Sequence, residues 1–318
     1  MNVLFGAFDR HNLGDVLLAH MAAASCGEPP VFAGLAARDL VSWSGPAVVP
    51  LDSLSGPMHL THVGGELLDC DADQAAFMLG EAAPRWRRRA PYVVARDALP
   101  AGSQTEFRAV GGVGLGEREP AFRDEVIGAL RQARAVSVRD KFTQALLGDA
   151  GVEARLEPDP VTRIAEVFGP RIRSRQAARG PYLAVQFAAE CGDDASLAAI
   201  ARGLERIGLP VVLFRAGAAP WHDALEPYER LASRLPVHSE VFRSLDVWDI
   251  CALIAGSRGF VGTSLHGRIV AEAFGLPAIS LERGEGTGRK LRAYLATWRP
   301  DQAVVAPGRF ADTAGLAG

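Results

Sequence analysis

Apolar residues in this chain fall into short unbroken runs that alternate with longer stretches repeating every three or four positions. In the first half, "NVLFGAF" (2–8), "HLTHVGG" (59–65), "FRAVGGVGL" (107–115), "AVSVRD" (135–140) and "EARLEPDP" (153–160) read as strands. Between them, "DVLLAHMAAA" (15–24) and "FRDEVIGALRQA" (122–133) carry helical periodicity. That alternation predicts parallel sheets with crossover helices. It stops at "GPRIRSRQAARGP" (169–181), a basic, polar stretch bracketed by two Gly-Pro pairs and expected to be a linker. It restarts with "YLAVQFA" (182–188), "LAAIARGLERIG" (197–208), "LPVVLFRAG" (209–217) and "DVWDICALIAGSRGFVGTS" (246–264). Gly208 is placed where a left-handed helix stop belongs. The expected architecture is therefore α/β: two Rossmann-like domains, 1–172 and 173–318, with parallel sheets facing a central cleft. The last helix is a candidate to pack back on the first domain.

Length supports that division, since 318 residues exceed a single typical core. A formal net charge of −3 argues against bulk nucleic-acid binding. Lysine occurs only at 141 and 290, so arginine carries the positive charge as a bias of composition. Cys26, Cys70, Cys191 and Cys251 are widely spaced, without metal-ligand pairing, and read as thiols in a reducing compartment. The chain opens directly on a strand, with no basic region followed by a long apolar one, and no later run is long enough to span a bilayer. A cytoplasmic location is expected, with the inner face of the cell membrane as a working surface.

Ligands of open parallel sheets bind beyond the carboxyl ends of the strands, so the loops after strands are where chemistry is sought. The stretch "VGTSLHGRIVAEAFGLPAIS" (261–280) passes from strand to helix at Thr263-Ser264. Ser264 sits at the cap position, and the first-turn amides with the helix dipole form an anion site. His266 and Arg268 would lie beside it, and Gly267 permits close approach. The competing local reading is a packed histidine at a helix start. "HNLGDVLLAH" (11–20) repeats the design with Asn12, Gly14 and Asp15, where Asp15 either caps the helix or receives a sugar hydroxyl. "HVGGELL" offers Gly64 and Gly65 after a strand, then Glu66. The turn "VGGVGLGE" (110–117) only loosely matches a dinucleotide fingerprint and lacks an acidic ribose partner at the expected distance. Arg139 ends the strand "AVSVRD", suited either to pairing with neighbours such as Asp140 or to a two-pronged grip on phosphate or carboxylate. "PRWRRRAP" (84–91) reads as a solvated loop or as a contact for an anionic, lipid-linked substrate. No His, Asp or Glu cluster has metal-ligand spacing.

Taken in order, "NLGD" (12–15), "VGGELL" (63–68), "SVRDKFTQALL" (137–147) with "PDP" (158–160), and "GTSLHGRIVAEAFGLPAI" (262–279) resemble the polysaccharide pyruvyl transferase family. The resemblance implies a GT-B-like fold and transfer of pyruvyl from phosphoenolpyruvate to hydroxyls of a glycan, usually as a ketal. The setting would be exopolysaccharide or cell-surface polymer biosynthesis. It implies His266 as the catalytic histidine, within Ser264-Leu265-His266-Gly267, and Arg139 as a catalytic clamp on the donor. Many members have arginine where this chain has Ser264. Arg268, Arg283, Arg289 and Lys290 are the nearby cations able to replace that charge, the last two in "GTGRKLRAYL" (286–295). Asn12, Asp15, Gly64, Gly65, Glu66, Ser264, Gly267, Arg268, Arg289 and Lys290 are the expected substrate-binding positions. Phosphoenolpyruvate enters as co-substrate, with no cofactor and no metal, and the glycan acceptor is expected to be lipid-linked. Trp221, in the loop 216–227, is a candidate to stack on a sugar. Two rival readings stand beside this one: a GT-B-like glycosyltransferase using a nucleotide sugar, and a non-catalytic relative in a glycan-assembly complex.

Overall fold

Residues 1–218, 224–284 and 288–312 are described by a computed structural model of the chain. They form two compact units, Met1–His11 with Asp15–Pro160, and Asn12–Gly14 with Val161–Gly318. The first contains β1 (Asn2–Phe5), β2 (Val31–Gly34), β3 (Arg38–Asp39), β4 (Ala47–Pro50), β5 (His59–Val63), β6 (Gln104–Val110), β7 (Ala135–Val138) and β8 (Arg155–Leu156). Its helices are α1 (Leu13–Ala23, whose first two residues cluster with the second unit), α2 (Ala72–Leu79), α3 (Pro120–Arg131) and α4 (Lys141–Asp149). The strands lie in the order β3-β4-β2-β1-β5-β6-β7-β8, parallel throughout except for β3 against β4. The chain runs from β1 through β2 to the edge strand β3, inserts β4 between β3 and β2, then returns to the other side of β1 and runs on through β8. Its direction of travel therefore reverses between β1 and β5, the place where ligands of open parallel sheets bind, outside the carboxyl ends of the strands.

Parallel strands covered on both faces need apolar residues at successive positions, which explains why "VLF" of β1 is buried without alternation. Two histidines of β5 show how the sheet handles polarity. His62 stacks on Phe107 at 3.8 Å between ring centroids. Its Nδ1 lies 3.1 Å from the Glu106 carbonyl, and its Nε2 accepts from Val94 N at 3.0 Å. Burial lowers its pKa to about 3, so the ring is neutral and belongs to the core. His59, at the opposite end of the strand, faces Glu106. At the carboxyl end of β6, Ala109 adopts a left-handed backbone (φ 47°) where the register with β7 shifts. The Ser137 hydroxyl accepts from Ala109 N at 3.0 Å and donates to Glu157 at 2.6 Å, holding this bulge.

The second unit has α5 (Ile164–Arg173), β9 (Leu183–Gln186), α6 (Asp194–Ile207), β10 (Val211–Leu213), α7 (Glu226–Ala232) and β11 (Ser239–Val241). It continues with α8 (Val247–Ala255), β12 (Phe260–Gly262), α9 (Leu265–Ala273), β13 (Ala278–Leu281), α10 (Arg289–Trp298) and β14 (Val304–Val305). The sheet is parallel in the order β11-β10-β9-β12-β13-β14, so its reversal lies between β9 and β12. The helix α6 begins at Asp193, which accepts from Ala195 N and Ser196 N, and ends at Gly208 with φ 73°. Gly169-Pro170, expected to open a linker, instead lies inside α5. Burial of Ile164, Gly169 and Ile172 on one side of that helix outweighs the loss of one amide donor. The division between the units falls at Pro160–Val161, and α5 belongs to the second.

Candidate functional site

In the second unit the reversal point is built from the ends of β9 and β12. Gly262 pairs with Gln186, and a Cβ at position 262 would overlap the Gln186 carbonyl. That closeness lets the Gln186 side chain reach over the end of β12, where its Oε1 accepts from Ser264 N at 2.9 Å. Thr263 Oγ1 in turn accepts from Ala188 N at 2.9 Å. The chain leaves β12 in a fixed direction and enters α9 at Ser264, extended at φ −80° and ψ 119°. Ser264 Oγ accepts from Gly267 N at 3.1 Å, the cap expected from sequence.

His266 stands in the first turn of α9 and is 9% exposed. Gly267 packs its backbone on the Phe260 ring, 2.8 Å from where a Cβ would lie. Gly14 lies against His266 so closely that a Cβ there would overlap the imidazole. The Asn12 side chain accepts from Gly14 N at 3.0 Å, and Asn12 bridges Gly217. Both residues therefore shape the backbone beside the histidine.

Arg268, expected as an anion ligand, is engaged internally and is 1% exposed. It donates to Glu272 at 2.8 Å, to Ser280 Oγ at 2.9 Å and to Gln302. Burial lowers its pKa against the pull of Glu272, and no part of its fork points to a ligand-accessible face. Arg289 and Lys290 are exposed in the first turn of α10, which carries no acidic residue. Arg283 is half-exposed and pairs with Asp193 at 3.1 Å. Trp221 lies outside the described residues.

In the first unit Gly64 and Gly65, at φ 47° and 73°, follow β5 at the reversal point between β1 and β5. A side chain at Gly64 would meet Leu18, and one at Gly65 would approach Asp15 Oδ1 at 3.3 Å. These glycines let Glu66 leave the sheet and bridge Gly111. Arg139, expected to clamp the donor, is 4% exposed and donates to Glu66 and, at 3.0 Å, to Asp159, which is fully buried. Burial would lower the arginine's pKa, but the two carboxylates outweigh it and raise it. Arg139 is thus an internal tie, and the part of the site it presents is Glu66.

The glycine-rich turn after β6 does not cradle a phosphate. Its amides serve carboxylates and a hydroxyl: Val113 N donates to Glu66 Oε2 at 3.3 Å, Gly114 N to Asp69 Oδ2 at 2.7 Å and Gly112 N to Thr143 Oγ1 at 3.2 Å. Asp69 was not singled out in the sequence; burial, then the neighbouring Glu66, push its pKa up to about 6. Asp9 was missed as well. It is fully buried and accepts from Leu35 N at 2.6 Å, Ala36 N at 3.2 Å and the Tyr92 hydroxyl at 2.9 Å. Arg10 then links Tyr92, at 3.3 Å, to Asp15 at 3.4 Å. The only sequence signal for this group is its place after the first strand.

The basic segment 84–91 is folded against its own unit. Arg85 pairs with Glu81 at 3.2 Å and lies over the Trp86 ring, which packs on the core. All four cysteines are free thiols. Among the described residues no helix is long and apolar enough to cross a membrane, and no group of three or more His, Cys, Asp or Glu is arranged to hold a metal ion.

Solved structures share this architecture at low identity. S. aureus MnaA in its co-structure with UDP aligns with a TM-score of 0.55 at 11% identity, covering 98% of this chain and 85% of that one. The UDP-GlcNAc 2-epimerase from Methanocaldococcus jannaschii gives 0.54 at 9% identity, over 98% and 89% of the two chains. That of Rickettsia bellii, a UDP-N-acetylglucosamine 2-epimerase, gives 0.51 at 10%, over 100% and 94%. The fold class is GT-B-like. No curated protein matches the sequence. The sequence profile of the polysaccharide pyruvyl transferase family matches residues 60–285, and the chain belongs to that family.

Proposed function

We propose that the protein transfers pyruvyl from phosphoenolpyruvate to two hydroxyls of a glycan, forming a ketal. The observation that carries this reading is the position of His266 in a chain of this family. It stands in the first turn of the helix that starts at the reversal point of the second sheet. Helix amides and the positive end of the dipole favour an anion there. Lys290 and Arg289 occupy the first turn of α10, where a cation is disfavoured unless an anion accompanies it.

In the proposed reaction, protonated His266 delivers its proton to the methylene carbon of phosphoenolpyruvate. The double bond breaks, and positive charge develops at the adjacent carbon, shared with the ester oxygen. One sugar hydroxyl adds to that carbon and releases its proton. The carbon–oxygen bond to phosphate then breaks, phosphate leaves, and the second hydroxyl adds and loses its proton to close the ketal. General acid help of this type is worth roughly 10²–10⁴-fold. Asp15 and Glu66 are the carboxylates of the first unit suited to hold sugar hydroxyls, and Arg139 holds Glu66 in place. Lys290 and Arg289 take the charge that an arginine at position 264 would otherwise meet. A lipid-linked form of the acceptor would bring the protein to the membrane face.

The test is incubation of the purified chain with phosphoenolpyruvate and a panel of acceptor glycans, reading released phosphate and ketal pyruvate. Thermal shift with phosphoenolpyruvate against UDP- and GDP-sugars runs beside it, since a ligand that binds the folded state raises its melting temperature. Stabilisation by a nucleotide sugar alone would overturn the reading in favour of glycosyl transfer.

A further inference from the structure

The internal engagement of Arg268 has a second side. His266 and Arg268 are two residues apart on α9, about 200° around its axis, so they project from nearly opposite faces. Whatever fixes the direction of Arg268 also fixes the rotation of the helix that carries His266. The guanidinium reaches three places at once: Glu272 on its own helix, Ser280 at the third residue of β13, and Gln302 in the segment before β14. Glu272 uses its other oxygen to accept from the Tyr294 hydroxyl of α10 at 2.8 Å, with Arg299 at 3.6 Å. The helix α9 is thus anchored at its start by Ser264 N on Gln186, and along its body by this network.

We propose that the Arg268–Glu272 pair is a positioning device that sets the orientation of His266 and the register of α10 against α9. Replacement of a buried ion pair by apolar side chains of similar volume is often neutral for stability, so stability alone does not account for the pair. What a planar fork with five fixed donors supplies, and methionine does not, is direction. The same network reaches Tyr294, five positions after Arg289, and so ties the basic first turn of α10 to the histidine helix. The consequence for transfer rests on the proposed function; the placement of the imidazole does not.

The experiment uses the full chain, with Arg268→Met/Glu272→Met as the main variant and Arg268→Lys as the second. The imidazole resonances of His266, assigned by their loss in His266→Gln, are followed by NMR, and steady-state transfer is measured alongside. In the double variant the protein stays folded, the His266 resonance moves or splits, kcat falls by about tenfold or more, and KM for phosphoenolpyruvate changes little, the signature of a misplaced group. Arg268→Lys, which keeps the charge and loses the fork, displaces the same resonance, and decides the matter if the double variant does not fold. A parental His266 resonance in either folded variant overturns the proposal. A rise in KM with kcat retained overturns it too, since it would make Arg268 a donor ligand. Should the parent protein not turn over phosphoenolpyruvate at all, the proposed function fails while the resonance still reports on the positioning role.

Discussion

Glu66 and Arg139, 73 positions apart in sequence, form an ion pair whose arginine is buried and whose carboxylate is partly exposed, and the arginine also holds the fully buried Asp159. Three strand ends of the first unit, those of β5, β7 and β8, are tied through one guanidinium. Its geometry explains why the neighbouring turn is rich in glycine: a Cβ at Gly111 would overlap Glu66 and sit 3.0 Å from Arg139 Nε.

Removing the guanidinium leaves two carboxylates without compensation. Arg139→Met is expected to cost about 3–5 kcal/mol, readable as a fall in the urea midpoint at unchanged slope. Arg139→Lys keeps the charge but cannot reach both partners in the same geometry, and falls between. Parental stability of Arg139→Met would show that the pair contributes nothing.

Gly14→Ala places a methyl group where the His266 imidazole lies. Because alanine favours the helix more than glycine does, the fold is expected to survive while the ring is displaced. A misplacement of about 1 Å costs on the order of 10²-fold in rate. Steady-state turnover of the variant is the check, and full activity would refute the contact as a constraint on the histidine.

Asp69 gives a pH signature. Its folded pKa is raised from 3.8 to about 6, so the native state holds the proton more tightly than the unfolded chain. The stability this contributes is complete below the unfolded value and is lost as pH rises through the folded one. Asp69→Asn removes the titration, so the variant is expected to gain relative to the parent between pH 4 and pH 7, by on the order of 2 kcal/mol. Melting temperatures of both proteins across that range provide the measurement; a constant difference would rule the titration out.

Lys290→Ala is expected to raise KM for phosphoenolpyruvate by about tenfold, the loss of one charge-assisted contact, with little change in kcat. The effect should shrink as salt screens the exposed charge. An unchanged KM at low salt would remove Lys290 from the donor site.

Strands β1, β5, β6, β7, β9, β10 and β12 and helices α1, α3 and α6 follow from local patterns, because apolar runs and capping residues act over a few positions. The strand order and its two reversal points are set by pairing between distant segments and were not read from the sequence. Ser264 as a cap, and Gly64-Gly65 as a strand exit, were legible for that reason. The fates of Arg139 and Arg268 were not. Arg139 reaches Glu66 and Asp159, 73 and 20 positions away, and Arg268 reaches Ser280 and Gln302, 12 and 34 away. Glu272 lies only four residues from Arg268, but an i,i+4 pair is also what a solvated helix face carries, so the local sequence does not mark either arginine as a buried tie. The glycine-rich turn 111–116, a loose match to a dinucleotide fingerprint in the sequence, turns its amides to Glu66, Asp69 and Thr143. Gly169-Pro170 reads as a break, yet buried Ile164 and Ile172 keep the segment helical.

The proton donor is the centre of the account, and one comparison addresses it directly. The parent chain and His266→Gln are each supplied with carbon-labelled phosphoenolpyruvate and an accepting glycan in deuterated water, and the product is read by NMR. The parent should yield a labelled ketal whose methyl group carries one solvent deuterium, and His266→Gln, with an unchanged melting temperature, should yield essentially none. Undiminished ketal formation by His266→Gln would contradict the role assigned to that imidazole.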